Sequence, residues 1–299
     1  MKPRQTAADF APEVLKLFDR YVHGALSRRG FLEALQAQAG SAAAAAGLLA
    51  ALSPRFAEAQ QVAPDDRRIV SRRLEFPSPQ GNGRVSGLLA RPAQGGDKLP
   101  LVLVVHENRG LNPHIEDIAR RLAVDGFIAF APDALAPLGG YPGDEDKARD
   151  LFGKLDAPKT RADMVAAVRG LQALPGGSGR VGVVGFCWGG GIANYLATQL
   201  PELAAAVPFY GGQPPAAEVA RIRAPLLIHY AGNDTRINAG WPAYESALKA
   251  AGVSYEAFTY PGVEHGFNND TTPRYDATAA QLAWQRTLTF FKVRLTMPA

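Results

Sequence analysis

From about residue 71 onward the chain alternates two kinds of apolar pattern. Continuous apolar runs at 101–105, 127–131, 181–185, 204–209 and 225–230 suit strands buried on both faces, and a last strand is expected at 255–260. Residues 84–91 instead alternate around Val85, Gly87 and Leu89 and stop at Pro92. That pattern predicts an early antiparallel strand with at least one solvated face. Between the runs the period changes to that of a helix: 113–124 follows the capping residue Asn112, and 160–174 sets Met164, Val165, Val168 and Leu171 on one face. Further helices are expected at 190–199, 241–250 and 277–291, and a polar loop and helix at 139–150, over the site. The alternation predicts an α/β protein with a mostly parallel central sheet flanked by helices on both faces, formed by one domain over residues 60–299.

The first 59 residues follow no such alternation. Residues 26–32, Leu-Ser-Arg-Arg-Gly-Phe-Leu, resemble a twin-arginine export motif in Arg28 and Arg29. A stretch rich in Ala and Leu follows over 34–52, and Ala57-Glu58-Ala59 places small residues where a signal peptidase reads them. The expectation is an export signal over 1–59, a mature chain starting near Gln60 and a periplasmic or exported protein, with a cytoplasmic location as the alternative. An amphipathic or buried N-terminal helix is the other reading of so much alanine. The Gln and Ser residues of the run argue against a membrane anchor, so no stable membrane insertion is expected after processing.

Composition narrows the picture only a little. Hydrophobic residues make up 47% and charged residues 20%, as in ordinary soluble globular chains. The net charge is +4, but residues 60–299 carry 25 basic against 23 acidic residues, which gives no case for a nucleic-acid partner. A single cysteine excludes an intrachain disulfide and a cysteine-based zinc site. No metal and no organic cofactor is expected, and nothing in the sequence fixes an oligomeric state.

That cysteine lies where a buried strand runs into a glycine-flanked turn and then a helix: Gly185-Phe186-Cys187-Trp188-Gly189. A nucleophile elbow needs this arrangement, because its central residue is backbone-strained and its neighbours two positions away must lack bulk. The following helix N-terminus would favour a thiolate. In this architecture the nucleophile, acid and base follow in that chain order. Among His23, His106, His114, His229 and His265, only His265 lies in a late loop after the last strand. His229 reads as a packed, hydrogen-bonded strand residue. Asp234 ends a strand between nucleophile and base, whereas Glu202, Glu218, Glu245 and Glu256 do not, and Glu264 is too close to His265 in sequence to face it. The oxyanion hole is expected from the backbone N–H of Trp188 and of Asn108, in the loop after the strand at 101–105.

The loop holding Glu107, the stretch Gly185-Phe-Cys-Trp-Gly-Gly190, Gly232-Asn-Asp234 and Glu264-His-Gly-Phe267 resemble the dienelactone hydrolase (carboxymethylenebutenolidase) family over roughly residues 70–295. The resemblance implies the α/β-hydrolase fold. It also implies a carboxylate at Glu107 that contacts the cysteine and helps take its proton when substrate binds. A cap on the following helix or a pair with Arg109 is the other reading of Glu107. Family members that bind a substrate carboxylate use arginines, one of them shortly after the catalytic histidine, and here Gly-Phe-Asn-Asn-Asp follows His265. Arg109 and Arg149 (or Lys147) are the substitutes available, with Trp188, Phe267 and either Trp241 or Tyr141 as candidate walls of an aromatic pocket. The expected partner is a small-molecule ester or lactone, hydrolysed by two-step acyl transfer. A broader carboxylesterase or thioesterase with the same triad, and a non-catalytic binding protein on the same fold, are the alternatives.

Overall fold

The structure, a computed structural model, describes residues 4–296. Eight strands form one sheet: β1 (Ile69–Ser78), β2 (Gly83–Pro92), β3 (Leu99–Val105), β4 (Ile128–Pro132), β5 (Gly177–Phe186), β6 (Ala205–Phe209), β7 (Leu226–Ala231) and β8 (Tyr255–Tyr260). Their spatial order is β1-β2-β4-β3-β5-β6-β7-β8. The β1–β2 and β2–β4 pairings are antiparallel and all others parallel. This is the mostly parallel, doubly covered sheet expected of an α/β-hydrolase. The apolar runs are central because both their faces are covered. Helices α5 (Pro113–Val124) and α12 (Ala277–Thr296) pack on one face, and α7 (Ala157–Gln172), α8 (Trp188–Gln199) and α11 (Trp241–Ala250) on the other. The helix α6 (Glu145–Phe152) and the single turns α9 (Ala216–Val219) and α10 (Thr235–Asn238) ride on loops. Strand β1 carries Ser71, Arg72, Arg73 and Glu75 at the edge of the sheet, where half of its residues meet water, so its apolar signal is faint.

Residues 4–59 are folded as well. Helices α1 (Pro12–Val22), α2 (Arg28–Ala39) and α3 (Ala42–Leu52), followed by the single turn α4 (Phe56–Ala59), enclose a core of their own. Phe18, Tyr21, Phe31, Leu35, Leu49 and Leu52 meet there, with Tyr21 and Phe31 stacked at 4.7 Å. Caps divide the alanine-rich stretch. Ser27 Oγ accepts from Gly30 N–H to start α2, Gly40 at φ 77° ends it, and Ser41 Oγ accepts from Ala44 N–H to start α3. The stretch that reads as the apolar middle of an export signal is therefore two short helices, bent by 116° between them. Among the described residues no single helix is long and apolar enough to cross a membrane.

Candidate active site

The elbow is built by close approach of backbones. Cys187 sits at φ 55° and ψ −112°, a region that few residues with side chains adopt, and its N–H donates to the Phe209 carbonyl at 3.0 Å. A Cβ on Gly185 would lie 1.9 Å from the Gly189 carbonyl oxygen, and one on Gly189 would lie 2.2 Å from that of Val105. Only glycine fits at either position. Helix α8 begins at Trp188, whose N–H belongs to the first turn and so has no intrahelical acceptor.

The acid and base arrive from the ends of neighbouring strands. Asp234 follows β7 and caps α10, with Oδ1 accepting from Ile237 N–H at 3.1 Å. Its other oxygen is 2.5 Å from His265 Nδ1, in the loop after β8, and both residues are buried. Glu264 turns away to Asn233, which donates to it at 2.7 Å. Burial pushes the Cys187 thiol up, but the charge of His265 and hydrogen bonds from His23 and His265 outweigh it and bring the thiol down to about 6. Burial works against protonation of His265, yet the facing sulfur and Asp234 hold it up to about 10. Burial raises Asp234, but the hydrogen bond and charge of His265, the Ile237 N–H and Arg236 together lower it by more. The sulfur and imidazole thus favour each other's charged forms, thiolate and imidazolium. His229 is fully buried between Thr287 and Tyr260, as its strand position predicted.

Other expected residues fall in different places. Glu107 lines the same cavity as Cys187 but does not hydrogen-bond to it; its Oε2 accepts from Asn269 Nδ2 at 2.9 Å. The loop after β8 folds into a turn, with Asn269 N–H bonded to Gly266 O, and this presents the amide to the carboxylate. Arg149 does not line the cavity. It pairs with Asp146 and Asp150 and lies over the Tyr21 ring at 4.6 Å. Phe267 is core, packed on Tyr210 and Tyr260. The Trp188 ring stacks on His106 at 5.2 Å and lines a separate hollow, and Trp241 packs on Tyr230. Arg109 and Tyr141 do line the cavity, with Glu145 between them at 3.6 Å from Arg109 Nε and 2.9 Å from the tyrosine hydroxyl.

The cavity, about 360 Å³, has residues of the N-terminal helices for one wall: Phe18, Tyr21, His23 and Leu49. His23 Nε2 is 3.4 Å from Cys187 Sγ and 3.3 Å from His265 Nε2. These three atoms lie within 4.8 Å of one another and are donors of the kind that hold a transition metal. Reading the chain order of the triad passes over His23, because it precedes the nucleophile by 164 residues. The signal that marks its helix as structural is the spacing of Val14, Leu15, Phe18 and Tyr21, one apolar face of a helix. Arg274 is the second residue missed. It comes nine positions after His265, is 8% exposed and lines the cavity. Its guanidinium lies over the Phe18 ring at 5.0 Å and 3.8 Å from Asp19, with Nε and Nη1 buried and without a hydrogen-bond partner.

Comparisons with known proteins point to a family of hydrolases. The profile of the "Dienelactone hydrolase family" matches residues 85–295, and one described as "YqhI-like" matches residues 1–40. A "Putative carboxymethylenebutenolidase" of Escherichia coli (strain K12) is 35% identical over 261 residues, 82% of this chain and 94% of the relative. A "Putative hydrolase fragment YghX" of the same organism is 53% identical over 105 residues, 35% of this chain and 90% of that one. Among solved structures, a "Putative Dienelactone Hydrolase" from Klebsiella pneumoniae subsp. pneumoniae MGH 78578 superposes with a TM-score of 0.65 at 29% identity, covering 75% of this chain and 99% of its own.

Proposed function

The chain belongs to the dienelactone hydrolase family, and on that premise we propose that it cleaves a small carboxylic ester or lactone by two-step acyl transfer through Cys187. The observation that carries this reading is the Asp234–His265 pair, at 2.5 Å, beside a cysteine held at positive φ on a glycine-flanked turn. A thiolate is formed before substrate arrives, so the first step needs only an acceptor for charge on the carbonyl oxygen. The N–H groups of Trp188 and Asn108 fill that role in this reading. Attack by sulfur gives a tetrahedral oxyanion, its collapse gives a thioester, and water then releases the acid.

Two buried guanidinium groups, Arg109 and Arg274, favour a substrate that carries a second, anionic group. Arg274 takes the place of the arginine that the loop directly after His265 lacks. A panel of dienelactone, simple lactones and short aryl esters tests both points. Cys187→Ala should abolish turnover of every substrate, and Arg274→Gln should raise KM for anionic substrates while leaving neutral aryl esters unchanged. Retained turnover in Cys187→Ala removes the mechanism.

A further inference from the structure

Two imidazoles flank the sulfur, and each has its own carboxylate. On one side Asp234 holds His265; on the other, Asp19 holds His23, with Nδ1 2.7 Å from the Asp19 carbonyl oxygen and 3.2 Å from Oδ1. An Nδ1–H committed to Asp19 leaves Nε2 as the nitrogen that faces the reacting sulfur. We propose that His23, oriented by Asp19, is a second proton-transferring residue of this active site, and that residues 4–59 therefore belong to the working enzyme. The inference rests on Cys187 acting as nucleophile.

Local structure aims His23. Helix α1 ends in a Schellman turn: Gly24 at φ 80° donates to Tyr21 O, and Ala25 N–H donates to Arg20 O. His23 is the residue at that end, and the carbonyl before it, Val22 O, is left over by the helix. Asn108 Nδ2 donates to Val22 O at 2.8 Å and Arg109 Nη2 at 3.2 Å, both from the loop expected to cradle the oxyanion. Asp146 receives Tyr21 and Arg28, which fastens α1 and α2 to α6. His23 is thus fixed on both sides of its own backbone. Arg236 Nη2 stands 3.1 Å from its Nε2, and Asp19 lies 3.8 Å from Arg274 and 3.9 Å from Arg236.

The placement suits a division of labour. His265 takes the thiol proton, the thiolate attacks the carbonyl carbon, and the bond to the leaving oxygen breaks as that oxygen takes a proton from the His23 imidazolium. Water then gives a proton to neutral His23, its oxygen bonds to the thioester carbon, and the carbon–sulfur bond breaks. Sulfur leaves as the thiolate beside protonated His265, the pair the cycle started from, and His23 ends protonated as it began. Each imidazole thus exchanges protons with one partner only, His265 with sulfur and His23 with oxygen.

The test uses the full chain and compares leaving groups. An alkoxide needs a proton to depart, whereas p-nitrophenolate does not. His23→Gln should slow a simple lactone and an alkyl ester about 10²-fold, while the single-turnover burst of p-nitrophenol from an aryl ester changes less than about threefold. Equal loss on both substrates, in a variant with an unchanged Tm, would make His23 structural and overturn the proposal. A gain in turnover would make it a plug and overturn it too. Intact mass of the purified active enzyme should include residues 4–59; full activity of a chain starting at Gln60 would also overturn it. Failure of the underlying mechanism reads differently, as turnover retained in Cys187→Ala.

Discussion

The two carboxylate–imidazole pairs that meet at Cys187 are held in place by different means. Asp234 and His265 follow the adjacent parallel strands β7 and β8, whose backbones are bonded along their length. Asp19 and His23 sit on one turn of a helix whose own core is small, and whose position depends on ion pairs and on one helix-end carbonyl. The first pair inherits the rigidity of the sheet. The second depends on docking, so its geometry can be lost without unfolding the domain. A site that combines the two has a permanent half and a detachable half.

The largest expected effect is on the permanent half. Asp234→Asn should lower kcat by about 10⁴, the loss seen when a triad histidine loses its orienting carboxylate, whereas Asp19→Asn should cost about tenfold, because the Asp19 backbone carbonyl still holds His23 Nδ1. Similar losses in the two variants would erase the distinction. Next comes detachment itself. Phe31 is fully buried against Tyr21, and Phe31→Ala should cost about 3–5 kcal/mol, more than three short helices can spare. Limited proteolysis should then cut before residue 60 while the sheet domain survives, and lactone turnover should fall to the level of His23→Gln. A smaller effect sharpens the electrostatics. Alkylation of Cys187 should switch on as pH rises through about 6, since the thiolate is the reactive form and the folded thiol is held down. Removing the His23 hydrogen bond should move that midpoint upward, and an unmoved midpoint would mean that the second pair does not reach the sulfur. Smallest of all, Asp146→Asn weakens a contact whose Arg28 partner is half exposed. It should loosen docking by at most about 1 kcal/mol, visible only as faster hydrogen exchange in α1 and α2.

The same contrast explains what was legible in the sequence. Strand β8 and helices α5 and α11 have the bounds that the sequence pattern predicts, α5 most plainly because its apolar face is buried on the sheet. Chain order pointed to Cys187, Asp234 and His265, which the strand ends bring together at one site. Glu107 lies in the expected loop and lines the cavity with Cys187, and no spacing rule reveals that Asn269 folds back onto it. Arg149 and Phe267 read as pocket residues because their chemistry suits a pocket, yet one faces the N-terminal helices and the other the core. The first 59 residues were hardest. Alanine-rich helices, paired arginines and a small-residue end suit both export and a helical cap, and no periodicity reveals that His23 comes within 3.4 Å of a sulfur 164 residues away.

The leftover carbonyl of Val22 has one more consequence. Its two donors, Asn108 and Arg109, belong to the loop that substrate would also grip, so the helix end and the ligand share a scaffold. By linkage, whatever steadies that loop must hold α1 more firmly, and whatever holds α1 must raise affinity for the ligand by the same factor. Occupancy of the pocket would then be reported at a distance, as slower amide exchange in residues 12–39. The first helix becomes a reporter of whether the enzyme is loaded.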